Sequence, residues 1–391
     1  MTIHAALMTG RGVGAISTVE VFGDSAQAVI RELFRPARAG TTNFETGRIL
    51  IGTITDGTEV IDQVTIGCEG PENFAIHCHG NPLIVEMIME LLCKHGAHLV
   101  TAEQLLGETL AAKGQFNTIA VEARLAQARA KTVDGTKLIA NQIDGGLNKT
   151  AQSWLDGMEG ASLDKIKAET TGILQNSKAA GLIIYGCTAV LTGPPNSGKS
   201  TLLNYLAGRQ KAIVTDIKGT TRDWVEAECR AGSLSVTLID TAGLNADLSV
   251  SELAIEQATR RKTAEILEQA DLVLLVLDAS EPTNELDNEF LDRISDKQVL
   301  VVLNKSDLPG SLDVGMLPDF LSEAVRTSAK EGMGMEELTE NIRQKTGTSN
   351  FDLRQSVCFT HRQNDLLDRL TIAESKRQAV SIITDLISGR M

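Results

Sequence analysis

Between residues 188 and 303 the apolar positions gather into short runs: 272–277 and 299–303 are unbroken, 188–191 opens on a threonine, and 234–239 carries Ser235 and Thr237 between its apolar residues. Runs of that length predict strands buried on both faces, the pattern of a parallel sheet covered by helices. From about 181 to 347 they alternate with helix-like segments, which predicts an α/β domain with a mostly parallel sheet. The chain before it divides in two. Residues 1–118 mix short β-like runs (52–55 and 63–66) with one helical stretch, 83–95, and predict a small α+β domain. Residues 119–180 are helical in pattern, over 119–131, 136–155 and 163–175. The same pattern returns after Gly347-Thr348-Ser349 as a helix over 361–387. Helical segments on both sides, 119–180 and 348–391, predict that the α/β domain is inserted into one helical domain.

The turns that end these runs carry the candidate chemistry. Gly193-Pro194-Pro195-Asn196-Ser197-Gly198-Lys199-Ser200 fits G-x-x-x-x-G-K-[ST], with a strand-like run before it and the helix-like segment from Thr201 after it. Its glycines let backbone N–H groups turn inward around a β-phosphate, and the helix N-terminus adds its positive dipole end. Lys199 then reaches the β- and γ-phosphates, and the Ser200 hydroxyl ligates Mg²⁺. Asp240-Thr241-Ala242-Gly243 ends the run 234–239. Asp240 is placed to hold the magnesium shell, and Gly243 to offer its N–H to the γ-phosphate and swing when that phosphate leaves. Between them lies Gly219-Thr220-Thr221-Arg222-Asp223. Thr221 is its first candidate for a second Mg²⁺-binding hydroxyl, with Thr220 the neighbouring alternative.

Asn304-Lys305-Ser306-Asp307 follows the run 299–303 and selects the base. The Asp307 carboxylate accepts from both N1–H and the 2-amino group of guanine. Adenine has no such donor pair and leaves a buried Asp unpaired, at a cost of about 1–3 kcal/mol. Lys305 would lie over the base plane, Asn304 would tie the loop back to the P-loop, and Ser328-Ala329-Lys330 would supply a backbone N–H to the guanine carbonyl. In this order the motifs predict a protein that binds and hydrolyses GTP.

Composition narrows the setting. A chain of 391 residues, 42% hydrophobic, is long enough for two or three domains with their own cores. Cys68, Cys78, Cys93, Cys187, Cys229 and Cys358 form no C-x-x-C and no metal spacing, and read as reduced structural thiols of a cytoplasmic protein. His77, Cys78 and His79 alternate faces on an extended segment, which argues against a shared metal. The N-terminus shows no signal-peptide pattern, and no apolar run is long enough to cross a bilayer. A net charge of −14 disfavours wholesale nonspecific nucleic-acid binding, while leaving room for RNA on a local basic patch or presented by a partner.

The stretch 193–244 resembles the tRNA modification GTPase family called MnmE or TrmE. The resemblance rests on Pro195-Asn196-Ser197-Gly198-Lys199-Ser200, Leu202-Leu203-Asn204, Ala212-Ile213-Val214-Thr215-Asp216, Gly219-Thr220-Thr221-Arg222-Asp223 and Asp240-Thr241-Ala242-Gly243-Leu244. The A-I-V-T-D and G-T-T-R-D pair is shared with Era- and Der-type GTPases, but those of Era type begin with the P-loop. Gly10-Arg11-Gly12-Val13-Gly14-Ala15-Ile16 and Cys78-His79-Gly80-Asn81-Pro82 look like the family's opening glycine-rich segment and its C-H-G-G-P. The resemblance implies an N-terminal domain that dimerises and binds a folate one-carbon donor, with Arg11 as a candidate contact. It implies that Asn196 helps bind K⁺ beside the phosphates and that two GTPase domains meet across their nucleotide faces in a homodimer. The potassium ion then supplies the charge an arginine finger otherwise brings. The catalytic set becomes Lys199, Thr221 and a water-orienting carboxylate, for which Glu252 is the nearest match and Glu256 the alternative. The implied partners are tRNA and an MnmG-type flavoprotein.

Two departures qualify the match. The family ends in a C-[IV]-G-K tail, whereas this chain ends Leu386-Ile387-Ser388-Gly389-Arg390-Met391 with no cysteine after Cys358, behind a helical segment several turns short. Ala75 stands where the family places an acidic residue ahead of C-H-G-G, with Glu72 nearby. The sequence therefore reads as a shortened, diverged member. Three functions follow in order: tRNA wobble-uridine modification, a regulatory switch in ribosome or RNA assembly without that chemistry, and a nucleotide-dependent dimerisation module.

Overall fold

A computed structural model describes residues 3–10, 12–38, 43–112, 117–160, 162–208, 225–240, 265–282, 286 and 288–389. The chain forms two compact units, one of residues 1–121 with 388–391 and one of 122–387.

The first unit is built on seven strands: β1 (Ile3–Leu7), β2 (Ile16–Phe22), β3 (Phe34–Pro36), β4 (Ile49–Asp56), β5 (Glu59–Cys68), β6 (Asn73–His79) and β7 (Ala97–Leu99). Their order across the sheet is β3-β4-β5-β6-β2-β1-β7. Every pairing is antiparallel except β1 with β7. Asp56 pairs with Glu59 across a two-residue turn, and Gly57 takes φ 62° there, a left-handed angle suited to glycine. Three helices accompany the sheet: α1 (Ala26–Leu33), α2 (Pro82–Lys94) and α3 (Ala102–Ala112). The start of α2 follows from sequence: the Asn81 side chain accepts from the Leu83 N–H at 3.0 Å, and Pro82 takes the first helical position. Val19, Val21, Ile54, Ile66, Phe74, Ile76, Ile88 and Leu92 pack into one core. The expected strands 52–55 and 63–66 are the inner parts of β4 and β5, and the expected helix 83–95 is α2. His77 and His79 lie on the face opposite buried Cys78. They bond Thr18 and Asp62 respectively.

The division between the units falls within α4 (Thr118–Gln127). The second unit opens with helices α5 (Val133–Asp144), α6 (Gly146–Asp156) and α7 (Leu163–Tyr185). An α/β region follows, with β8 (Cys187–Thr192), α8 (Lys199–Gly208), β9 (Val225–Ala231), β10 (Leu234–Asp240), β11 (Leu272–Asp278), α9 (Asn288–Ile294), β12 (Val299–Asn304), β13 (Ala324–Arg326) and α10 (Met335–Lys345). The sheet order is β13-β12-β11-β8-β10-β9, parallel throughout apart from the β9–β10 pair. All six residues of β12 are buried, and six of seven in β11. Leu202, Leu206, Leu338 and Ile342 cover one face; Ile266, Leu267, Ile294 and Leu321 cover the other. The unbroken apolar runs therefore mean what parallel sheets require, a helix on each side.

After the sheet come α11 (His361–Thr371) and α12 (Lys376–Ser388). They join the helices that precede the sheet. Gln142, fully buried on α5, donates to the carbonyls of Leu138 and Gln355 and accepts from the N–H groups of Leu147 and Val357. The Cys358 N–H donates to Ser177 Oγ on α7 at 2.8 Å. Glu122 accepts from Thr360, Gln363 and the Arg362 guanidinium.

Helix lengths differ from the expected ones. The run 136–155 is two helices divided at Gly145-Gly146, because Gly146 has φ 36° and a Cβ there would stand 2.3 Å from Gln142 Oε1. The helix expected over 163–175 continues to Tyr185, so a boundary at 181 falls inside it; the helix stops at Gly186, φ 87°. The helix expected over 119–131 ends at Gln127, and that over 361–387 breaks into α11 and α12.

Candidate nucleotide site

Three sheet strands, β8, β10 and β12, end on the motif residues, so the C-terminal edge of the sheet collects them at one place. That edge is where open parallel α/β sheets bind ligands. Gly193 leaves β8 with φ 136°, and a Cβ on it would stand 2.2 Å from the Val276 carbonyl on β11. Asn196 takes a left-handed φ of 64°, tolerated by its short polar side chain. Gly198, φ 91°, would place a Cβ 2.2 Å from Asn304 Nδ2. Helix α8 then starts at Lys199, with Thr201 exposed in its first turn.

Lys199 folds back over this loop. Its Nζ donates to the Gly193 carbonyl at 3.0 Å and the Pro194 carbonyl at 2.8 Å. Burial lowers its pKa, and the charge of Asp240 acts the other way. Ser200 Oγ donates to Asp240 Oδ2 at 2.7 Å, which puts the two expected magnesium ligands side by side. Asp240 is 3% exposed at the end of β10.

Asn304 joins the phosphate loop to the base loops. Its Nδ2 donates to the Ser197 carbonyl at 3.0 Å, and its Oδ1 accepts the Ala329 N–H at 3.0 Å. The 304–307 loop and the 328–330 loop are held together as well, by Ser306 N–H to the Thr327 carbonyl at 2.9 Å. Asp307 is exposed, not buried, because it stands on the loop beyond the end of β12; the Ser328 hydroxyl holds its carboxyl below the usual range. Lys330 is exposed beside Glu331. Thr220, Thr221, Arg222, Gly243, Glu252 and Glu256 lie outside the described residues, as does Arg11.

The structure adds a residue that the motifs did not flag. Asp278, at the end of β11, accepts from Lys305 Nζ at 2.6 Å. Burial raises its carboxyl, but hydrogen bonds from Lys305 and Ser280 outweigh that and leave it below the usual range. The available signal was position: an Asp ending an all-apolar run on a parallel sheet lands on the ligand edge.

Among the described residues, no cluster of His, Cys, Asp and Glu could hold a metal by itself, and no helix is long and apolar enough to cross a membrane.

Comparison with known proteins agrees with both units. Residues 2–123 match the family "GTP-binding protein TrmE N-terminus", and residues 188–305 match "50S ribosome-binding GTPase". The tRNA modification GTPase MnmE of Acetivibrio thermocellus is 29% identical over 98% of this chain and 91% of its own length. That of Nitratidesulfovibrio vulgaris strain DP4 is 32% identical over 87% of this chain and 80% of its own. Among solved structures, the G domain of the T. maritima FeoB iron transporter matches 41% of this chain and 98% of that chain at 27% identity, with a TM-score of 0.30. With motif order, sheet edge and relatives in agreement, this chain is a GTPase and belongs to the MnmE family of tRNA modification GTPases.

Proposed function

We propose that this GTPase acts in tRNA wobble-uridine modification, with hydrolysis stimulated by K⁺ through pairing of two GTP-binding domains. The observation that carries the reading is the bonding of Asn304 to both the phosphate loop and the Ala329 loop. Base and phosphate recognition thus form one rigid site, suited to a single guanine nucleotide. Ser200 Oγ and the Asp240 carboxylate are adjacent hard oxygen donors, a set that suits Mg²⁺. Bound there, Mg²⁺ neutralises charge developing on the phosphates. Lys199 exchanges its two carbonyl partners for phosphate oxygens, and the left-handed Asn196 stands beside them as the K⁺ ligand. Thr221 completes the Mg²⁺ shell and Glu252 orients the attacking water. The chain works as a homodimer with tRNA and an MnmG-type flavoprotein, in a cytoplasm that keeps its six unpaired cysteines reduced. A folate donor at the N-terminal unit belongs to the same reading.

The test compares GTP hydrolysis in K⁺ and Na⁺ at equal ionic strength, together with dimer formation in GDP and aluminium fluoride. The reading expects at least about tenfold faster turnover in K⁺ and dimers only there. Equal slow rates in both salts reject the pairing mechanism. Analysis of tRNA nucleosides after gene deletion then tests the substrate. A second reading, a switch in ribosome assembly, draws on the match to the 50S ribosome-binding GTPase family over residues 188–305. It expects intact wobble uridines and co-sedimentation with ribosomal particles.

A further inference from the structure

The last residue of β11 is a carboxylate to which GTP binding and hydrolysis, as read above, give no part. Asp278 sits directly across from Asn304 in the β11–β12 register. Its Oδ2 takes the Lys305 ammonium at 2.6 Å, while Oδ1 accepts the Ser280 N–H at 2.9 Å and the Ser280 hydroxyl at 2.7 Å. Both oxygens are committed, and the side chain is only 9% exposed. Lys305 itself leaves β12 with φ 61°, a backbone angle uncommon outside glycine, so its side chain departs in a direction fixed by the main chain. The surrounding loops are stitched together. Ala279 N–H donates to the Asn304 carbonyl at 2.8 Å, Ser311 N–H to the Ala279 carbonyl at 3.0 Å, and Ser311 Oγ to the Ser280 carbonyl at 2.6 Å.

We infer that Asp278 is a positioning residue for nucleotide retention: it anchors the Lys305 ammonium so that the lysine stem forms a fixed platform for the guanine base. The inference rests on the GTP-site reading above. A free lysine loses rotamer freedom when a base settles against it. One already ordered by a buried carboxylate loses less, so the base binds more tightly and leaves more slowly. Asp278 touches neither base nor phosphate in this scheme and acts only through Lys305. Its removal therefore acts on nucleotide release and KM, leaving the chemical step alone.

Stopped-flow release of a fluorescent GDP analogue tests this in the full chain with Mg²⁺. Asp278→Asn keeps the shape and the Ser280 contacts but removes the charge. It is expected to speed release about tenfold, the worth of a charged hydrogen bond, and to raise KM for GTP in proportion. Turnover at saturating GTP should change by less than about twofold. In a Lys305→Met background the same substitution should add nothing, because the group it positions is gone. Unchanged release in Asp278→Asn overturns the inference. So does an equal acceleration in the Lys305→Met background, which assigns Asp278 to the Ser280 turn alone. Should Asp278→Asn not fold, Lys305→Met decides by itself: faster release supports the platform, and unchanged release rejects it. A wild-type chain that retains no GDP analogue overturns the GTP-site reading, and this inference with it; a fault confined to the variants does not touch that reading.

Discussion

Gly193 and Gly198 both leave no room for a side chain in the phosphate loop, but only Gly198 is packed against another motif. A side chain there collides with Asn304, the residue that ties this loop to the base loops, so the motif glycine also serves the joint between two motifs. Lys199 contributes charge at the same point, and its burial suits it to a phosphate partner more than to water. Lys199→Ala should reduce GTP turnover by roughly a hundredfold or more, measured as phosphate release. Unchanged turnover would show that the lysine does not serve the phosphates. Asp307 is the complementary case, an exposed carboxylate whose partner in the described structure is the Ser328 hydroxyl. Asp307→Asn exchanges an acceptor for a donor and should move preference from guanine to xanthine nucleotides in competition binding. The affinity lost for GTP should be about tenfold or more, the worth of a charged hydrogen bond. Full retention of GTP affinity would remove Asp307 from base recognition.

At the level of elements, the helices before and after the α/β region hold together through buried polar bonds as much as through apolar packing. Gln142 is the central example, with four main-chain partners reached from one amide. Gln142→Leu keeps the volume but leaves the Gln355 carbonyl and the Leu147 and Val357 N–H groups unpaired in the interior. Urea denaturation should show a loss of about 3 kcal/mol. A loss below about 1 kcal/mol would mean that water replaces the amide. These same helices are where sequence periodicity was least informative about length. The break was marked locally, since Asp144-Gly145-Gly146 contains the D-G and G-G dipeptides that signal turns, but the helical periodicity runs on across it and hides it. The break is set by a glutamine that occupies the space a side chain at Gly146 would need.

For the molecule as a whole, thiol chemistry reports on both units at once. Cys93 is exposed, while Cys68, Cys78, Cys187, Cys229 and Cys358 are buried. Burial pushes Cys187 and Cys229 up to about 12 and Cys358 up to about 11, far above neutral pH, so their reactive thiolate forms are scarce as well as inaccessible. A maleimide titration of the native chain at pH 7 should label one thiol, Cys93, and the other five only after denaturation. Rapid labelling of two or more would show that one of the cores opens.

The choice of nucleotide was legible from residue order alone, because the P-loop, Asp240, the Asn304–Asp307 stretch and the Ser328–Lys330 stretch are local motifs whose chemistry depends on short-range spacing. The parallel sheet was legible too, from the short unbroken apolar runs of β11 and β12, a pattern that suits strands covered on both faces. Tertiary structure decided what depends on residues far apart in the chain. Asp278 reaches Lys305 across 27 positions, Asn304 reaches Ser197 across 107, and Gln142 reaches Gln355 across 213. No periodicity records such pairs, because the chain between them contributes only the path that brings their ends together.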